Sequence, residues 1–114
     1  MASVYVNNIV INSGATFTQE YFLENSSTNS ALILSNSTVN SQMRKWAGSV
    51  GVTTFTTTIV NSSNGQIRIG LGSSATSNLK PGRYIYDILI TDNSTNIVSR
   101  VVEGMVLVRE GVTR

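Results

Sequence analysis

The sequence predicts an all-β domain: an Ig-like or Greek-key antiparallel β-sandwich of about seven or eight strands, with at most one short helical turn. Three observations carry this reading. Apolar and polar residues alternate with a period of two over most of the chain, as in Ile67, Ile69 and Leu71 against Arg68. Clusters of Gly, Asn, Ser and Asp recur roughly every 8–12 residues, the spacing of strand ends in sandwiches and barrels. No segment holds a helical period long enough for a βαβ crossover. The 114 residues fit one domain, 1–114, with a short extended arm at 110–114.

The elements follow in order. Residues 3–11 (SVYVNNIVI) are β-branched and apolar, and end at Asn12-Ser13-Gly14. Residues 16–24 form a second strand with Phe17, Tyr21 and Leu23 facing inward. After the polar cluster Asn25 to Ser30, residues 31–34 (ALIL) predict a short strand. Residues 37–46 predict a longer one, with Val39, Ser41 and Met43 on one face. Residues 53–61 (TTFTTTIVN) predict a single threonine-rich strand with Phe55, Thr57 and Ile59 sharing a face. Ser62 to Gly65 ends in Asn-Gly, a strong hairpin signal, and joins it to residues 66–71. Residues 73–79 predict the one short helix, capped by Ser73 or Ser74, and Lys80-Pro81-Gly82 ends it. Residues 83–91 (RYIYDILIT) and 97–109 (IVSRVVEGMVLVR) predict two long strands around the turn Asp92 to Asn96. Gly104 marks a bulge or bend in the second of them.

Composition excludes much chemistry. There is no Cys and no His, which removes disulfides, thiolate chemistry, the commonest general base and the usual transition-metal ligand. Eight basic and six acidic residues leave a net charge of +2. The pI near 9.3 therefore reflects two surplus charges on a sparsely charged chain. Arg44-Lys45 is the one adjacent basic pair, so no basic stripe predicts nucleic-acid binding. Solubility rests on Ser, Thr and Asn, which exceed a third of the chain. The N-terminus lacks a basic region followed by an apolar one, which predicts no secretory signal. No apolar run approaches the roughly 20 residues of a membrane-spanning helix.

No catalytic, cofactor-binding or metal site is expected. Any two of Glu20, Glu24, Asp87, Asp92, Glu103 and Glu110 could be drawn as a carboxylate pair, and no spacing selects one. The glycines at 65, 70 and 72 do not make a phosphate loop, and Asp92-Asn93-Ser94 lacks the further acids of a calcium loop. Four N-x-Ser/Thr sequons, at Asn25, Asn36, Asn61 and Asn93, are expected from chance in so Asn-rich a chain. Asp87, inside an apolar strand, predicts a strand-face ion pair with Arg83, Arg68 or Arg100. Arg100 and Glu103, three apart, would face opposite sides of an ideal strand unless a bulge intervenes. Trp46 reads equally as a core-edge residue or an interface anchor. The threonines at 53–58 suggest a flat exposed strand open to pairing with another subunit.

One segment is more specific. Residues 80–92 (KPGRYIYDILITD) and 100–114 (RVVEGMVLVREGVTR) resemble a module of tailed-phage virion proteins. The matching positions are Pro81, Gly82, Tyr84, Tyr86, Asp87, Thr91, Arg100, Glu103, Gly104, Val106, Val108, Val112, Thr113 and Arg114. Residues 38–46 and 53–71 look like the module's upstream strand and hairpin. The chain is similar to small virion structural proteins of T4-like cyanophages, and its fold resembles the N-terminal β-sandwich of phage baseplate upper proteins. The resemblance implies a non-enzymatic virion component, assembled in the host cytoplasm, that docks by protein–protein contacts in the tail, baseplate or neck. Capsid decoration (a cement protein) is the alternative, and an Ig-like module binding carbohydrate or a host surface is the second. The implied partners are other virion proteins and copies of itself in a symmetric assembly, with no nucleic acid, membrane or cofactor. Because the chain stops at Arg114, no fibre or receptor-binding domain is expected to follow. The interface residues expected are Trp46, Thr54, Thr56 and Thr58, and Val112, Thr113 and Arg114 of the arm.

Overall fold

The computed structural model describes residues 5–24, 33–46, 48 and 52–111. Two sheets face each other. The larger holds β1 (Tyr5–Val6), β2 (Ile9–Asn12), β4 (Ser37–Arg44), β5 (Val52–Thr54), β8 (Gly82–Asp92) and β9 (Ile97–Arg109). The smaller holds β3 (Phe17–Phe22), β6 (Thr56–Asn61) and β7 (Gln66–Leu71), in the order β3-β7-β6. Across the larger sheet the order is β9-β8-β4-β5, with β1 and β2 end to end along the outer edge of β9. The chain is thus an all-β sandwich, with one short helix among the described residues, α1 (Ser73–Ser77). Its pairings are antiparallel except that β1 and β2 run parallel to β9.

The sequence pattern places the core. In β3 with the Leu23 that follows it, in β4 and in β7, the inward residues are those expected: Phe17, Tyr21 and Leu23; Val39, Ser41 and Met43; Ile67, Ile69 and Leu71. They close against Ile9 and Ile11, Tyr86, Ile88 and Ile90, and Val102, Val106 and Val108. Phe55 sits between the sheets, its ring centroid 5.9 Å from that of Phe17 and 6.2 Å from that of Tyr86. Burying one such aromatic side chain contributes on the order of 2–3 kcal/mol.

Four expectations are corrected. Residues 53–61 are not one flat strand. The chain leaves the larger sheet at Phe55 and enters the smaller, so Thr54 pairs with Gln42 while Thr56 pairs with Gly70. The burial of Phe55 and two hydrogen bonds, Phe55 N–H to the Ser41 carbonyl (2.9 Å) and Thr57 Oγ1 to the Val39 carbonyl (2.8 Å), hold that crossing. The N-terminal strand is interrupted at Asn7-Asn8, where the Asn8 side-chain Oδ1 takes the Met105 N–H in place of a backbone carbonyl. Ile33 and Leu34 are irregular rather than strand; Leu34 is buried and Ile33 is not, while 31–32 lie outside the described residues. The helix N-cap is Gly72, with no side-chain cap bond, not Ser73 or Ser74. Instead, the buried hydroxyl of Thr76 ties α1 to the β2–β3 turn, accepting from Gly14 N–H (3.1 Å) and donating to the Ala15 carbonyl (2.8 Å).

The two long strands form the expected hairpin, and its bulge lies at Val101 rather than Gly104. Ile88 pairs with Val102 and Leu89 with Arg100, so Val101 is the extra residue. Val101 and Val102 are consequently both buried, and the in–out alternation of β9 inverts there. Three sequon asparagines serve the turns. Asn36 adopts a left-handed φ of 58°, Asn61 Oδ1 accepts from the Ser63 and Asn64 N–H groups, and Asn93 exchanges hydrogen bonds with Thr38. The fourth, Asn25, lies outside the described residues.

Candidate functional site

The outer face of the larger sheet carries the features that call for a function. An antiparallel sheet with one wet face normally alternates apolar-in with polar-out. Here the outward phase of β8 is itself apolar in part: Ile85 and Leu89 point away from the core that Tyr86, Ile88 and Ile90 fill. Register extends the apolar strip sideways. Ile85 lies beside Met105, and Leu107, two residues further along β9, lies beside Val10 of β2. These four are 38–49% exposed. Contiguous exposed aliphatics of this kind mark interaction surfaces.

Charge frames one end of the strip. Asp87 and Glu103 are direct cross-strand partners, a like-charge juxtaposition that is unfavourable by itself. Arg100 bridges them, its Nε 3.3 Å from Asp87 Oδ2 and its Nη1 3.9 Å from Glu103 Oε2. The Val101 bulge makes this possible, because it brings Arg100 and Glu103 to the same face. Beneath them, the buried Ser41 Oγ donates to the Asp87 carbonyl (2.8 Å) and steadies that stretch of β8. One guanidinium against two carboxylates leaves the cluster with a residual charge of −1. On the far side of Ile85, Arg83 has no acidic partner among the described residues. Between these groups the face forms a shallow trough of about 640 Å³, floored by Ile85, Leu89 and Met105 and rimmed by Arg44, Arg100 and Glu103.

The expected interface residues are not brought together. Thr54 lies on the outer face of the larger sheet, beside Gln42. Thr56 and Thr58 lie on the opposite side of the molecule, on the outer face of the smaller sheet, flanking the Glu20–Arg68 pair (2.6 Å). Trp46 follows the end of β4 and is 63% exposed, so it is not core. Val112, Thr113 and Arg114 lie outside the described residues. Asp87 is paired with Arg100, one of the three expected partners. The apolar strip itself was missed by sequence reasoning. Its signal was present in RYIYDILIT, where apolar residues occupy both phases of the alternation.

Titration is perturbed in the interior rather than on this face. Burial raises the Tyr86 hydroxyl far above the ordinary tyrosine range, and raises that of Tyr21 as well. Tyr86 donates to the Asn7 carbonyl (2.6 Å), so its oxygen accepts from Tyr21 (2.9 Å). This chain joins β3, β8 and the N-terminal strand through the core, and it keeps both phenols neutral. A second recess, about 740 Å³, lies between α1 and the β2–β3 turn, lined by Ser13, Ser73, Ser74 and Ser77 together with Leu79, Pro81 and Glu110. Among the described residues, no three carboxylates cluster as a metal site would require, and no helix is long and apolar enough to cross a membrane.

No protein-family model and no curated protein matches the chain. Among solved structures, the chain is similar to InlP of Listeria monocytogenes, with a TM-score of 0.52 and 22% identity over 95% of this chain. It is also similar to part of a family 123 glycoside hydrolase from Clostridium perfringens, with a TM-score of 0.47 and 15% identity over 96% of this chain. It spans 28% and 24% of those two proteins, respectively. At this level the first likeness concerns the fold alone.

Proposed function

We propose that this protein is a non-enzymatic structural component of a tailed-phage virion, docking by protein–protein contacts in the tail, baseplate or neck. The observation that carries the reading is the exposed apolar strip of Ile85, Met105, Leu107 and Val10 beside a built ion cluster. A face of this composition suits docking by surface complementarity, with an apolar centre and a charged rim. The sequence resemblance supports the setting, because its most specific positions, Pro81 to Asp87 and Arg100 to Val108, run through the β8–β9 hairpin that builds this face. The absence of His and Cys supports a role without acid–base or thiol chemistry.

Mass spectrometry of purified particles tests the reading, followed by cryo-EM to locate the chain. Stoichiometric recovery with the particle and density at the tail, baseplate or neck are expected. Absence from the particle would overturn the structural role, and density confined to the capsid lattice would replace the tail location with capsid decoration.

A further inference from the structure

We propose that the outer face of the larger sheet is the contact between two copies of this chain. The copies are related by a two-fold axis that lies between the facing sheets, crosses the strands and passes over the Ile85–Met105 pair. The proposal rests on the assembly-component reading for its biological setting and adds the occupant of the face and its geometry.

The argument is one of self-complementarity. A two-fold axis presents the same patch from both copies, so each residue must meet a partner drawn from that same patch. On β8, Ile85 stands midway between Arg83 and Asp87, all three on the outward phase. Rotation about an axis over Ile85 therefore sets Ile85 against its own copy and lays each Arg83 over the other copy's Asp87, roughly 6–7 Å along the strand from the axis. Met105, the register partner of Ile85, likewise meets its own copy. At the ion cluster the charges then balance. The Arg100–Asp87–Glu103 cluster retains one negative charge, and the cation that neutralises it is the partner's Arg83. Two kinds of like-charge encounter remain. Arg44, on the same row as Ile85, meets its own copy, with its guanidinium turned along its own strand to Gln42 Oε1 (3.3 Å), away from the axis. The exposed Arg109 meets the partner's Arg100, roughly 13 Å along the strands from the axis.

Size permits the contact. The molecule measures 45 × 28 × 21 Å. Its broad side, along the length of β8 and β9, accommodates the roughly 800 Å² per partner of a standard interface. Packing sheet on sheet at about 10 Å would bury Ile85 and Met105 against their own copies and lay Leu107 over the partner's Glu103.

Sedimentation equilibrium over a concentration range, up to roughly 100 μM, where a dimer with a Kd of tens of micromolar is well populated, reads the association. The wild type is expected to dimerise. Met105→Asp should weaken the dimer at least about tenfold while leaving the melting temperature near that of the wild type, since Met105 is half exposed. The decisive arm is charge reversal. Arg83→Glu alone and Asp87→Arg alone each place like charges across the axis twice, and each should weaken homodimers about tenfold or more. A one-to-one mixture of these two variants restores both pairs in the heterodimer and should recover association. A monomeric wild type at the highest concentration, or a mixture no better than either variant alone, would overturn the proposal. Absence of the chain from virions with the dimer intact would sink the virion reading alone. Presence in virions with copies touching through another face would sink this inference alone.

Discussion

At the scale of the residue, the buried hydroxyl chain of Tyr21 and Tyr86 is the clearest case of a side chain whose chemistry serves the fold. Both phenols lie in the core, and each has its hydrogen-bond need met. Removing the Tyr86 hydroxyl by Tyr86→Phe strands the Asn7 carbonyl and the Tyr21 hydroxyl, a loss of about 1–3 kcal/mol. A pH dependence follows. Burial raises both folded-state pKa values above the unfolded value near 10. Above that pH the unfolded chain loses protons that the native chain keeps, so the native state is progressively disfavoured. Stability contributed by these groups is fully present below pH 10 and falls as pH climbs beyond it. Denaturant titrations from neutral pH to about pH 11 should show that decline, with a shallower slope in Tyr21→Phe/Tyr86→Phe. Equal slopes in the variant and the wild type would refute the assignment.

At the scale of the element, the N-terminal strand depends on a single glycine. A Cβ on Gly104 would overlap the Asn7 carbonyl group, whose carbon would lie 2.8 Å away. Asn7 is held there by its N–H to the Glu103 carbonyl (2.9 Å) and by Tyr86, so the backbone has no easy retreat. Gly104→Ala should therefore destabilise the protein by about 2 kcal/mol or more. Hydrogen exchange should locate the loss first in the amides of β1 and β2 and along the edge of β9 with which they pair. A uniform loss across both sheets would contradict this. The sequence marks Gly104 as unusual, since glycine interior to a strand signals a bulge or a close backbone approach. Close approach is the one that applies. The bulge falls three residues earlier, at Val101, and no residue type there announces it; a run of valines reads identically with or without an extra residue.

At the scale of the whole molecule, the two sheets are bound together at both sides. β2 continues through the Ser13-Gly14 turn into β3, and β5 continues through Phe55 into β6. Each edge of the larger sheet thus passes covalently into an edge of the smaller, an economical way to limit free edges. Phe55 is the keystone on its side, touching the rings of Phe17 in the smaller sheet and Tyr86 in the larger. Phe55→Ala should cost about 3–5 kcal/mol. Because the ring contacts both sheets, their strands should lose hydrogen-exchange protection together in one cooperative transition, as expected of a domain this small. Trp46, largely exposed, reports poorly on that event, so far-UV circular dichroism is the appropriate probe. Protection lost in the smaller sheet alone would show that the sheets fold independently.

Period-two patterning and turn chemistry by themselves determined the all-β class, the hairpins around Asn64-Gly65 and Asp92 to Asn96, and the inward faces of β3, β4 and β7. Those features depend on neighbours a few residues apart, and local alternation encodes them. The sequence offers Asp87 a basic strand-face partner such as Arg83, Arg68 or Arg100 without choosing among them, because the choice depends on which strands lie side by side. Tertiary structure alone decided three things: that residues 53–61 divide between two sheets at Phe55, that the N-terminal strand lies parallel to β9, and that an extra residue at Val101 brings Arg100 and Glu103 to one face. Each is a matter of register or sheet membership, set by which packing buries Phe55, Val101 and Val102 together. The exposed strip on the larger sheet follows from the same cause. With one phase of β8 committed to the core, the remaining apolar residues, Ile85 and Leu89, were left facing outward.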